Sequence, residues 1–105
     1  MRIAGAPAEV AEVLIEEWTP LGQVTSKSMF GGVGLFCDGV MFTIIDKQGT
    51  VYLRSDETTD AIFEAAGSRK HGMPYWLVPA SVMGDHAELL SWARRAVRVA
   101  NANKK

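Results

Sequence analysis

The stretch KSMFGGVGLFCDGVMFTIIDKQGTVYLR, residues 27–54, decides how this chain folds. Asp38-Gly39 stands between two apolar runs and has the composition of a two-residue hairpin turn, where both residues need positive φ. Lys27 to Cys37 reads as the strand before it and Val40 to Ile45 as the strand after it, with alternate residues facing opposite sides. Asp46-Lys47-Gln48-Gly49 makes a second turn, and Thr50 to Arg54 a third strand. Two tight turns in succession force antiparallel neighbours, so a three-stranded meander is expected. Both sides of the first hairpin are apolar, with Phe36 and Phe42 read against Leu35 and Met41, which hints at an interface beyond the monomer core.

Working outward, Ala8 to Trp18 has the spacing of a helix. Val10, Val13, Leu14 and Trp18 repeat on one face, the glutamates take other positions, and Pro20 with Gly22 stops it. Downstream of the meander, Asp56 or Thr58 can cap a second helix reaching Ala66, with Ile62, Phe63 and Ala66 as its stripe and Gly67 at the left-handed position that ends it. Ser68 to Gly72 is polar and loop-like. Met73 to Val78 is a short late strand with Pro74 near its start, and Tyr75 and Trp76 alternate onto opposite faces. Ala80 to Gly84 allows one helical turn. Asp85, with Glu88 three residues on, has capping-box spacing for a last helix whose inner face is Leu89, Ala93, Ala96, Val97 and Ala100.

The predicted order is α-βββ-α-β(β)-α, a two-layer α+β sandwich in which helices cover an antiparallel sheet. The 105 residues make one domain, residues 1–105, and 48% hydrophobic content fills one core. A net charge of -1 argues against a strongly basic nucleic-acid binder. The single cysteine excludes an internal disulfide framework and suits a reducing compartment. No segment has the make-up of an export signal or a membrane span, so the expected location is the cytoplasm, away from membranes.

Each candidate for chemistry has a plainer reading beside it. Gly31-Gly32-Val33-Gly34 has the glycines of a phosphate loop, but no lysine-serine pair follows and the chain continues as strand. Cys37 lacks a histidine nearby in sequence, and His71 and His86 lack the close pairing of metal ligands. Arg94, Arg95 and Arg98, with Lys104 and Lys105 behind them, form an acid-free run that complements a helix C-terminus. The same three arginines are the candidate contacts for an anion or nucleic acid. No catalytic residue, metal site or cofactor follows from these signals.

Ser28 to Phe36 followed by Asp38-Gly39-Val40-Met41-Phe42 resembles the opening signature of the TfoX N-terminal domain family. Val51 to Asp56, Phe63 to Gly67, Met73 to Pro79 and Asp85 to Ala96 are similar to later parts of the same family, in the same order. The resemblance implies a two-layer α+β fold with an antiparallel sheet, in a family named for regulators of bacterial competence. In those regulators a second domain follows. This chain reads as a stand-alone N-terminal domain, in which Gly31 and Gly32 permit a bulge while Met29 and Phe30 fill space.

The resulting expectation is a non-enzymatic regulatory domain that binds another protein, with transcription or competence as its setting. Self-pairing through a sheet edge would make it a homodimer. An enzyme or small-molecule binder using Cys37, His71 or the glycine run is the first rival. A weak nucleic-acid binder through the basic last helix is the second.

Overall fold

Two-residue turns join the first three strands of the sheet. The computed structural model describes residues 5–72 and 74–103. The N-terminal residues 1–4, Met73 at the start of the expected late strand, and Lys104 and Lys105 of the basic tail lie outside the described residues. The elements are α1 (Pro7–Glu17), a 3-10 turn (Thr19–Leu21), β1 (Val24–Met29), β2 (Gly32–Cys37), β3 (Val40–Ile45), β4 (Val51–Arg54), α2 (Asp60–Ala65), β5 (Lys70–Gly72), β6 (Tyr75–Leu77), α3 (Ala80–Met83) and α4 (His86–Ala102). The six strands form one antiparallel sheet in the order β1-β2-β3-β4-β6-β5.

The α+β class and the element order agree with the sequence reading, but the first expected strand is two strands. Lys27–Cys37 folds back on itself at Phe30-Gly31, where Met29 pairs with Gly32. Phe30 (φ 47°) and Gly31 (φ 80°) repeat the backbone of Asp38 (φ 49°) and Gly39 (φ 87°), which join Cys37 to Val40. Both are two-residue loops of the type whose twist matches the strands they join. The meander therefore has four strands, β1 to β4.

Gly32 allows this packing because a Cβ there would stand 2.1 Å from the Ile45 carbonyl oxygen. The bulge expected at Gly31 and Gly32 is a hairpin turn instead; the register shift falls between Leu35 and Phe36, where two residues of β3 share the space opposite one step of β2. Tight-turn register also regroups the side chains. Phe36 pairs with Met41, while Leu35 and Phe42 both lie in the core, contrary to the expected grouping.

One face of the sheet carries that core. Val33, Leu35, Phe42, Ile45, Leu53 and Trp76 pack against Val10, Leu14 and Trp18 from the α1 side and Leu89, Ala93 and Ala96 of α4. Phe63 of α2 joins them, its ring 5.7 Å from Trp76 and edge-on to Trp92 at 5.1 Å. Ile62 and Ala66, expected beside Phe63, face outward. The helix is shorter than its stripe implied and starts at Asp60. Asp56 instead closes a turn ahead of it, accepting from the Thr58 backbone N–H at 2.9 Å. Asp85 caps α4 as read, accepting from the Glu88 N–H at 3.1 Å. The polar segment expected as a loop contributes β5, three exposed residues on the outer edge of β6.

Candidate interaction surface

Residues directly opposite in antiparallel strands project to the same face. The register strings Lys27, Gly34, Ile44, Tyr52 and Leu77 across five strands, with Phe36 and Met41 paired on one flank and Arg54 and Tyr75 on the other. None of these side chains joins the cluster packed against the helices, so this row lies on the face turned away from α1 and α4, where Tyr52 and Tyr75 are nonetheless buried. Met29 and Met41 close over Gly34, where a Cβ would meet the Met29 Cε and the Met41 Sδ at 2.8 Å. Met29, Phe36, Met41, Ile44 and Leu77 are each half-buried, which gives an apolar strip with polarizable thioethers near one end.

Phe30 stands at the tip of the β1–β2 turn and is 100% exposed. A left-handed φ costs a bulky residue about 1–2 kcal/mol, and this side chain recovers none of that by burial. Its expected role as a space filler is therefore overturned, whereas Met29 does fill space. The sequence signal was there to find. Gly31 at the second turn position, bracketed by residues that can pair, marks the hairpin whatever its first residue is.

The far half of the face is polar and tightly bonded. The Tyr52 hydroxyl donates to Asp46 Oδ2 at 3.1 Å, and the His71 ring stacks on Tyr52 with centroids 4.2 Å apart. Burial pushes the Asp46 carboxyl up, but the N–H groups of Thr50 and Gln48, the Tyr52 hydroxyl and the nearby His71 together hold it below the ordinary value. Burial raises the Tyr52 pKa and the bond to Asp46 adds to this, against the charge of Arg69 close by.

Beside the end of β4 lies a cleft of about 260 Å³ lined in part by Arg54, Asp56, Asp60, Lys70, Trp76 and Asn103. Several of its polar groups bond to one another, while the buried Arg54 Nε has no hydrogen-bond partner among the described residues. Ser55 and the Trp76 indole N–H both donate to Asp60 Oδ1, at 2.6 and 3.0 Å. Asn103 donates to Asp56 at 3.0 Å, and the Lys70 ammonium lies 5.2 Å from the Trp76 ring centre.

The residues singled out for chemistry are scattered. Cys37 is buried, and burial followed by the Asp38 charge and hydrogen bond raises its pKa, which keeps the thiol protonated. His71 lies on Tyr52, and His86 contacts Glu17 at the junction of α4 and α1. Arg94 and Arg98 are exposed on α4, but Arg95 is half-buried over the Trp92 ring at 4.7 Å. Burial, then the charge of Arg98, lowers the Arg95 pKa. The three arginines thus divide into two that face water and one that covers the core. Among the described residues no group of three or more His, Cys, Asp or Glu is placed to hold a metal ion, and no helix is long and apolar enough to cross a membrane.

Fold and surface together define a small α+β domain with a one-sided sheet: helices seal one face, and the other ends in an exposed aromatic tip. The TfoX N-terminal domain profile matches residues 16–100, and the chain belongs to that family. A curated relative, the DNA transformation protein TfoX1 of Aliivibrio fischeri (strain ATCC 700601 / ES114), is 42% identical over 50 residues. That match covers 48% of this chain and 23% of the relative.

Proposed function

We propose that this domain is a non-enzymatic regulatory module that docks a protein partner on the uncovered sheet face, in the DNA-transformation setting named by its relative. Phe30 carries the reading. It is a bulky apolar side chain held in a disfavoured backbone region and wholly exposed, at the tip of an apolar strip. Strain of this kind collects where a ligand or partner is gripped. The buried, protonated Cys37 and the engagement of Asp60 by Ser55 and Trp76 within the polar cleft support binding over catalysis.

The test is affinity capture from a lysate of the source cells after nuclease treatment, with wild type and Phe30→Asn side by side. A protein retained by wild type and lost from the variant supports docking at this tip. Retention of the same proteins by both removes Phe30 from the interface and the reading with it.

A further inference from the structure

The two edges of the sheet differ. At one, β5 is three residues long, carries Lys70 and shifts register against β6. Shortness, irregularity and lysine are the devices that keep an edge from pairing. At the other, β1 runs six residues without proline and in unbroken register against β2, and Thr25 to Ser28 are exposed. Of those devices β1 has only Lys27. Among the described residues no strand pairs with its outer side.

The β1–β2 turn fixes which groups of β1 point outward. A two-residue hairpin loop is flanked by a pair that exchanges both hydrogen bonds, and such pairs alternate along an antiparallel ladder. Met29 and Gly32 flank Phe30-Gly31, so Met29, Lys27 and Thr25 bond inward to β2. The Asp38 N–H donates to the Gln23 carbonyl at 3.0 Å, which continues the same phase. Val24, Ser26 and Ser28 therefore direct their N–H and C=O groups out of the sheet.

We infer that β1 pairs antiparallel with β1 of a second copy, about a two-fold axis that passes through Ser26 normal to the sheet. This register sets Ser26 opposite itself and Val24 opposite Ser28 on both sides, so every outward residue of the strand finds a partner. Centring on Thr25 instead sets Ser28 opposite Gly22, whose N–H already goes to the Thr19 carbonyl at 3.2 Å. Centring on Lys27 sets two ammonium groups directly opposite, which is destabilising. With Ser26 at the centre Lys27 faces Thr25, and the two lysines are diagonal neighbours. Val24, partly buried at the rim of the core, gains the second strand as cover. The axis keeps the helices of both copies on one side and both open faces on the other. Phe30 lies beyond the paired segment, residues 24–28, so the pairing is separate from the docking reading above and gives the assembly a pair of tips.

Light scattering after gel filtration tests this by mass, with circular dichroism to confirm that each variant is folded. Wild type is a dimer that dissociates on dilution. Proline at an edge position whose N–H faces outward takes no bond from the sheet. Ser26→Pro therefore folds, and the dimer weakens by about tenfold or more through loss of the central pair of bonds. Under mild oxidation Ser26→Cys cross-links to its own copy, since directly opposed residues stand within disulfide reach. Thr25→Cys and Ser28→Cys do not, and the native Cys37 is buried. A wild type that stays monomeric, a Ser26→Pro dimer as tight as wild type, or faster cross-linking at residue 25 or 28 than at residue 26 overturns the inference. If Ser26→Pro does not fold, the cross-linking pattern decides alone. Phe30→Asn stays dimeric while its captured protein is lost. A monomeric Phe30→Asn puts the seam at the tip and overturns the pairing at β1. Failure of the pairing with capture still dependent on Phe30 leaves the docking reading standing.

Discussion

The Trp76 indole N–H donates to Asp60 Oδ1 at 3.0 Å, and Ser55 donates to the same oxygen at 2.6 Å. One carboxylate at the start of α2 therefore gathers the end of β4 and the centre of β6, and it holds Trp76 in the orientation that stacks on Phe63. The cost of losing it follows from what it leaves behind. Asp60→Ala strips the acceptor from a buried Ser55 hydroxyl and from a buried indole N–H. Hydrogen bonds to charged groups contribute about 1.5–3 kcal/mol each, and here Ser55 keeps Thr59 as a second partner at 2.7 Å. The expected loss is about 2 kcal/mol, read as a lower urea midpoint at unchanged slope. Trp76→Phe in the same background should add less than it costs alone. Full additivity would mean that Asp60 and Trp76 are not coupled.

Phe30→Asn makes the opposite kind of prediction. Asparagine tolerates the left-handed region, and the phenylalanine ring buries nothing in the monomer. The variant should match or exceed wild-type stability by up to about 1 kcal/mol, while partner capture is lost. A destabilised Phe30→Asn protein would show that the ring has a packing role within the fold.

Gly32 and Gly34 of the Gly31–Gly34 run separate by what stands in front of them. A Cβ at residue 32 points into the Ile45 carbonyl at 2.1 Å, which is backbone inside a paired strand and cannot move without breaking the sheet. A Cβ at residue 34 meets the tips of Met29 and Met41 at 2.8 Å, and methionine tips swing aside. Gly32→Ala should fail to accumulate as folded protein. Gly34→Ala should fold with a loss of about 1–3 kcal/mol, and with the two methionines pushed outward. Thermal melts of both variants check the order; equal losses would contradict it.

Why the architecture was legible and the surface was not comes down to turn chemistry and to what covers each face. Asp38-Gly39 announces its hairpin because both residues accept positive φ. Phe30-Gly31 adopts the same backbone under a side chain that reads as core. The inner face of α4 was legible because Leu89, Ala93, Ala96 and Ala100 keep helical period and all are buried. Arg95 could have been placed by the same phase, three residues after Trp92, over which it lies. β5 left no signal, since Lys70-His71-Gly72 is exposed throughout and is held by its pairing with β6. The open face was hardest, because an apolar residue that awaits a partner has the same letter as one already buried.

Acid should weaken this fold through Asp46 and Asp56. Burial raises the Asp46 pKa, but the Thr50 and Gln48 N–H groups and the Tyr52 hydroxyl outweigh it. Asp56 is lowered by the Thr58 hydroxyl first and Asn103 second, against a smaller burial contribution. Both carboxylates thus hold protons less readily when folded than when unfolded. Their contribution is complete above the unfolded carboxylate value of about 4 and is lost as pH falls through the lower folded values. Urea midpoints should therefore change little from these two groups between pH 7 and pH 5, then drop toward pH 3. Asp46→Asn keeps an acceptor but removes the charge, so it should be less stable than wild type at pH 7 and approach it at pH 3. A gap that stays constant across that range would mean that the Asp46 charge does not hold the β3–β4 turn, and that its oxygens act only as neutral acceptors.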